Sequence, residues 1–323
     1  MKKILILHTG GTISMSADQT TGAVKPSSEN PLHSYEHIFG DDVSIQTEDI
    51  FQLPSPHVTL DHMLILKNRI ELAVKEKEAD GVVVTHGTDT LEETAYFLDL
   101  TLDVSIPIVL TGAMRPSNEM GSDGLTNLQG AVWTAMDEEA KDKGVLVMMN
   151  EEIHTARYVT KTHTTNIATF RTPTFGPIGL LSKNNVLFFQ KLVEQNHFPV
   201  TAITQKVTLL KAYAGMDSTL FEAIYDRKID GLVIEALGAG NLPPEVLPGL
   251  NHLLDADIPV VLVSRAFNGV AQDIYDYEGG GKRLKEAGVI FAPGLSGPKA
   301  RIKLLALLEQ GYTHDQIEAS FSS

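Results

Sequence analysis

Cysteine is absent from the 323 residues of the chain. Disulfides, thiolate nucleophiles and cysteine-ligated zinc are thereby excluded. Basic residues are few: 26 Lys and Arg stand against 41 Asp and Glu, a formal net charge of -15. Phosphates would be repelled, which speaks against nucleic acid and against an anionic membrane surface. No apolar run is long enough to span a bilayer. At the start, Met1-Lys2-Lys3 is followed only by Ile4 to Leu7 before His8 and the glycines. That is too short for a signal-peptide core of about 7–15 residues. The expectation is a soluble, cytoplasmic protein.

Several motifs are missing too. The eleven histidines never occur as His-Glu-x-x-His, and His154 and His163 are lone histidines in hydroxyl-rich surroundings, so no metal is expected. Gly238-x-Gly240 meets Pro243 where a dinucleotide fingerprint needs glycine. Gly279 to Lys282 lacks the earlier glycine and the following Ser/Thr of a phosphate loop. No Gly-x-Ser-x-Gly elbow occurs. Neither a nicotinamide cofactor nor a phosphate loop is expected.

What is present is a core and a rhythm. Hydrophobic residues make up 43% of the chain, and the length suits two domains. Apolar runs at Leu5–Leu7, Gly81–Val84, Pro107–Leu110 and Gly144–Met149 read as buried strands. Helical spacing links Leu60 to Lys77 behind a Thr59 cap, and Ser122 to Glu139. The alternation breaks over 150–190, where Leu187-Phe188-Phe189 resembles an edge strand. It resumes at Val207–Leu210, Leu232–Ile234, Pro259–Val263 and Val289–Phe291. Pro298 to Gln310 reads as a helix, and Thr313-x-x-Gln316 as the capping box of a short final one. The prediction is two tandem α/β domains with mostly parallel sheets. The larger catalytic domain covers 1–190, a linker 191–206, and a smaller domain 207–323. Met15 to Asn30, polar and without periodicity, reads as a mobile loop, either a lid placed over a site or a disordered surface excursion.

Two strand ends carry the chemistry. Leu5-Ile6-Leu7 runs into His8-Thr9-Gly10-Gly11-Thr12, and Val82-Val83-Val84 into Thr85-His86-Gly87-Thr88-Asp89-Thr90. Each delivers glycine, then threonine, at the carboxyl end of a strand, where open α/β sheets bind ligands. Two hydroxyls would thus point at one spot. Thr90-x-x-Glu93 fits a capping box, so Thr90 is expected to start a helix. A threonine hydroxyl attacks only once a base removes its proton. Asp89 can orient a lysine, and a neutral lysine is a competent base. Lys161 is the odd one out, inside a threonine-rich loop, whereas most other lysines sit on apparently exposed helix faces; on the residues alone an ordinary surface lysine is the favoured reading.

Thr9-Gly10-Gly11-Thr12-Ile13 and His86-Gly87-Thr88-Asp89-Thr90 resemble the two signatures of the bacterial-type L-asparaginases. Thr111-Gly112-Ala113-Met114-Arg115, Lys161-Thr162-His163-Thr164-Thr165, Gly240-Asn241-Leu242 and Pro298-Lys299-Ala300-Arg301 also fall in that family's order. The N-terminus resembles the cytoplasmic, type I branch. The resemblance implies hydrolysis of L-asparagine to aspartate and ammonia through an acyl-enzyme, without cofactor, by a homodimer or homotetramer. It places Thr12 as nucleophile and Thr88, Asp89 and Lys161 as a hydrogen-bonded trio. Ser55 and Asp89 would hold the substrate's α-carboxylate and α-amino groups. Backbone N–H groups near Thr88 and Ala113 would face the oxyanion, and Gly11 would take part in substrate binding. Asn241, and Glu278 in a loosely aligned stretch, would come from the neighbouring subunit. Many members carry a lid tyrosine, but Met15 to Asn30 has none and Tyr35 is the nearest. The trio is therefore expected to supply the base through Lys161. Two other readings are an ammonia-releasing amidotransferase subunit, which carries an added N-terminal domain, and an asparagine-sensing protein without turnover, which would have a damaged trio.

Overall fold

The computed structural model describes residues 1–18, 20–26, 32, 39, 43–192 and 197–322. The chain divides into two compact units, Met1–His197 and Phe198–Ser323.

The first unit is built on an eight-stranded sheet. In chain order its elements begin with β1 (Lys2–Gly10), β2 (Met15–Ala17), β3 (Val24–Pro26) and β4 (Val43–Leu53). Then come α1 (Leu60–Lys75), β5 (Gly81–Thr85), α2 (Leu91–Thr101), β6 (Ile108–Thr111), α3 (Gly124–Met136) and β7 (Val145–Met149). Five short strands follow: β8 (Glu152–Thr155), β9 (Thr160–Lys161), β10 (Phe170–Arg171), β11 (Gly179–Ser182) and β12 (Asn185–Phe188). The sheet order is β12-β11-β8-β7-β6-β5-β1-β4, parallel from β4 to β7 and antiparallel from β7 to β12.

Residues alternate between the faces of a strand, and here both faces are covered. Ile4, Ile6, Val83, Val109, Leu146 and Met148 pack with Leu128, Ala131, Val132 and Ala135 of α3. The intervening Leu5, Leu7, Val82, Val84 and Leu110 are equally buried, on the face opposite α3. That double burial is why these strands read as continuous apolar runs. Thr59 caps α1 as expected, its Oγ1 accepting from the His62 N–H while the His62 side chain returns to the Thr59 N–H. Leu187 and Phe188 do lie on the edge strand, β12.

Three expectations need correction. Met15 to Asn30 is not structureless: β2 and β3 form an antiparallel hairpin, with Met15 opposite Pro26 and Ala17 opposite Val24. Asp18 closes the turn by accepting from the Thr20 and Thr21 N–H groups. Asn118 takes the place of a third strand, accepting from the Ala17 N–H and donating to the Ala17 carbonyl. These partners lie 101 residues away, so local periodicity carries no trace of them. Residues 27–31 and Tyr35 lie outside the described residues. Second, Val43-Ser44-Ile45-Gln46 alternates like a short strand, but β4 runs eleven residues through Leu53, because pairing with β1 continues to Gly10. Third, Lys161 is not unusual in leaving the surface: Lys67, Lys299 and Lys303, all helical, are buried at 3%, 1% and 6% exposure.

The second unit repeats the plan on a smaller scale. Its elements are β13 (Val207–Lys211), α4 (Thr219–Asp226), β14 (Gly231–Ala236), α5 (Leu247–Asp255), β15 (Val260–Ser264), α6 (Gly281–Glu286), β16 (Ile290–Phe291), α7 (Gly297–Glu309) and α8 (His314–Ser322). Strands β13-β14-β15-β16 form one parallel sheet. Phe221 of α4 and Leu250 and Leu253 of α5 pack on Leu232, Ile234, Val260 and Leu262. Among the described residues, no helix in either unit is long and apolar enough to cross a membrane.

Candidate active site

The site of the first unit is assembled by glycines at strand ends. Register pairs His8 of β1 with Thr85 of β5, so both strands finish level and turn together. Gly11 has φ 83° and ψ 178°, a region essentially closed to other residues. A Cβ there would lie 2.3 Å from the Gly87 Cα. The two turns therefore touch backbone to backbone, and the next residues are Thr12 and Thr88. Gly10, with φ 99°, packs as closely on Leu53 at the end of β4, and Gly11 donates its N–H to the Leu53 carbonyl. Ser55 follows Leu53 by two residues, which brings it against Gly87: a Cβ on Gly87 would lie 2.8 Å from the Ser55 Oγ.

Ser55 is buried and ties the second signature down. Its Oγ accepts from the Asp89 N–H at 3.2 Å, and its carbonyl accepts from the Thr90 Oγ1 at 2.8 Å. Thr90 does cap α2, but by backbone position alone. Its hydroxyl is spent on Ser55 instead of the capping box expected from sequence. Gly112, after β6, fits against the His86 carbonyl and Thr88 Cγ2. Ala113 follows, buried. Asp123 holds that segment by accepting from the Met114 and Arg115 N–H groups, and Asn127 donates to the Gly112 carbonyl.

Lys161 arrives on a separate two-stranded ribbon, β9 paired with β10. Its Nζ donates to Thr88 Oγ1 at 2.9 Å and to Asp89 Oδ1 at 2.7 Å. The Lys161 side chain is 17% exposed and that of Asp89 59%. An ion pair so open to water is worth little for stability; its value here is geometric. The Thr12 hydroxyl, half-buried, makes no hydrogen bond among the described residues.

His86 is part of the frame. It is fully buried, and desolvation pulls its pKa from 6.5 to about 4, against the smaller opposing effect of the Gly87 backbone bond. A neutral imidazole results. Its Nδ1 lies 2.8 Å from the Gly87 carbonyl and its Nε2 3.0 Å from the Thr94 hydroxyl. A carbonyl only accepts, so the ring proton is assigned to Nδ1 and Nε2 accepts from Thr94. The Gly87 peptide is thereby fixed from beneath.

Asn241 belongs to the second unit. It forms a bridge with Leu237 after β14, and its Oδ1 accepts from the Gly281 N–H at 3.2 Å. Glu278 is exposed. The first unit alone therefore brings together Gly11, Thr12, Ser55, Thr88, Asp89, Ala113 and Lys161. Among the described residues, no group of three or more His, Asp or Glu is placed to hold a metal ion.

Both halves of the chain match family models. Residues 3–194 match the N-terminal asparaginase domain, and residues 206–321 the glutaminase/asparaginase C-terminal domain. The chain belongs to the asparaginase family. Asparaginases are amidohydrolases, and the likeness runs the full length. A probable L-asparaginase of Deinococcus radiodurans is 39% identical, covering 100% of this chain and 98% of its own. An L-asparaginase of Bacillus licheniformis is 36% identical over 95% of each chain. The crystal structure of a probable cytoplasmic L-asparaginase from Campylobacter jejuni superposes with a TM-score of 0.89 at 33% identity, covering all of both chains.

Sequence reasoning missed Thr90, Asp123 and Asn127 as parts of the site's frame. Thr90-x-x-Glu93 was a signal for a helix start, but nothing in it shows which partner the hydroxyl takes. Asp123 and Asn127, four apart on one helix face, had no distinguishing pattern.

Proposed function

We propose that this chain hydrolyses the side-chain amide of L-asparagine to L-aspartate and ammonia through an ester on Thr12. The observation that carries this reading is the Lys161 Nζ joined at once to Thr88 and Asp89, beside touching glycines that present Thr12.

Thr12 Oγ attacks the amide carbon as its proton passes to the trio. Lys161 serves as the base once it has lost a proton from the ion-paired form seen here: one N–H stays toward Asp89, and the lone pair turns to the Thr88 hydroxyl to which Nζ now donates. Backbone N–H groups near Thr88 and Ala113 face the oxyanion, fixed before the substrate arrives. The C–N bond breaks, and ammonia leaves with the returned proton. Water then attacks the ester, its proton returns to Thr12 Oγ, and aspartate departs. Ser55 and Asp89 hold the α-carboxylate and α-amino groups, and Gly11 leaves the room they need. The 59% exposure of the Asp89 side chain suits a group that meets an incoming ammonium. No metal takes part. The active form is a homodimer or homotetramer, in which Asn241 reaches the neighbouring subunit's site, and the protein works in the cytoplasm.

One methylene in a pocket alters specificity by only about 1–3 kcal/mol. A Pseudomonas aeruginosa relative, 31% identical, is called a glutaminase-asparaginase, so both amides belong in the test. Ammonia release is measured with L-asparagine, D-asparagine and L-glutamine, with and without EDTA. Turnover of L-asparagine that EDTA leaves unchanged is expected. Binding of asparagine with no ammonia released would contradict the reading.

A further inference from the structure

We propose that Glu92 is a positioning residue that sets Lys161, an inference that rests on the role given to Lys161 above. Lys161 lies on a ribbon of two two-residue strands outside the main sheet. The Thr162 N–H points inward, donating to the Thr169 carbonyl of the partner strand's side. Backbone N–H groups alternate in direction along a strand, so the Lys161 N–H points outward, where the ribbon offers no partner. Glu92 Oε2 accepts it at 3.1 Å, across 69 residues of sequence.

Glu92 stands in the first turn of α2, which begins directly after Thr88, Asp89 and Thr90. Lys161 is therefore gripped at both ends by one short piece of backbone. Its Nζ is bound by Thr88 and Asp89 and its N–H by Glu92. The long stem is stretched between two points that move together. A carboxylate in the first turn also suits the positive end of the helix. The far side of the ribbon is anchored on β8: Arg171 Nη1 donates to both Glu152 oxygens at 2.6 and 2.7 Å, and Thr172 meets His154 at 3.0 Å. That anchor fixes the ribbon to the sheet, whereas Glu92 fixes Lys161 to its own acceptors.

Displacement of a catalytic group by about 1 Å can cost on the order of a hundredfold in rate. Glu92→Ala is expected to lower kcat about ten- to a hundredfold while KM stays within about threefold, because the group lost acts through Lys161 and touches no substrate. Glu92→Gln keeps an oxygen that can accept the same N–H and should stay within about threefold of wild type. Equal losses in both variants would overturn the proposal, since charge and not the hydrogen bond would then matter. Lys161→Met run alongside should lose about 10²–10⁴ in kcat. A full-rate Glu92→Ala beside a slow Lys161→Met overturns the positioning role alone; a full-rate Lys161→Met overturns the reading beneath it. Crystals of Glu92→Ala give a second readout independent of substrate. Lys161 Nζ is expected beyond about 3.5 Å from Thr88 Oγ1, and retention of the 2.9 Å contact would contradict the proposal.

Discussion

Two glycine–threonine turns end adjacent strands, and their threonines are held in opposite ways. Thr88 is buried, and its hydroxyl is bound by Lys161. Thr12 is half-buried, with no hydrogen-bond partner among the described residues. A buried hydroxyl with a partner is oriented by the protein, whereas a half-open one can meet a substrate. The same motif, glycine then threonine after a buried strand, thus yields one fixed group and one available group. What separates them is the third element: Lys161 and Ser55 close on the second turn and leave the first alone.

The sharpest way to break this contrast is to delete each hydroxyl. Thr12→Ala and Thr88→Ala should each retain less than about a tenth of wild-type turnover, with losses reaching on the order of 10²–10⁴. Neither side chain is part of a hydrophobic cluster, so both variants should fold. Their effects should nevertheless differ on substrate affinity. Thr88→Ala frees Lys161 and disturbs Asp89, raising KM, whereas Thr12→Ala should bind asparagine as the wild type does. Steady-state kinetics and calorimetric titration check both halves.

The glycines offer a second contrast, now between the two units. A Cβ on Gly11 would lie 2.3 Å from the Gly87 backbone, whereas one on Gly238, after β14, would meet nothing within 4 Å. Both have positive φ, 83° and 52°. Gly11→Ala combines backbone strain with a collision that only a shift of the second turn can relieve, and should cost about 3 kcal/mol or more. Gly238→Ala suffers the left-handed conformation alone, about 1–2 kcal/mol. Urea unfolding measures both, and equal losses would mean that close approach of the turns is not what the glycine provides.

A smaller effect follows from His86. Its folded pKa, about 4, lies below the ordinary 6.5. The unfolded chain therefore binds more protons between those values, and stability falls as pH drops. It should be undiminished by this group above pH 6.5 and decline by up to about 1.4 kcal/mol per pH unit down toward 4. His86→Asn should flatten that slope in a series of denaturant melts from pH 7 to 4.5.

The strands of both sheets were legible because double burial writes itself as unbroken apolar runs, as at Val82–Val84 and Val260–Val263. The two signatures were legible because glycine and hydroxyl residues crowd the strand ends for a steric reason. The rest depended on partners far away in sequence. The β2–β3 hairpin is held by Asn118, Thr90 is diverted by Ser55, and the Lys161 N–H is taken by Glu92. None of these pairings has a local period. The buried Lys67 and Lys303 show the same limit, since each leaves the surface for a specific acceptor, Glu71 and the Ser320 carbonyl. Tyr35, the nearest tyrosine after the hairpin, lies outside the described residues, and the base proposed for Thr12 is the trio.

The available hydroxyl of Thr12, and not the fixed one of Thr88, is expected to become acylated. Acid quenching of the protein during turnover of asparagine, followed by peptide mass mapping, tests it most directly. An aspartyl ester on the peptide carrying Thr12 is the predicted result; an ester on Thr88, or undiminished turnover by Thr12→Ala, would contradict it.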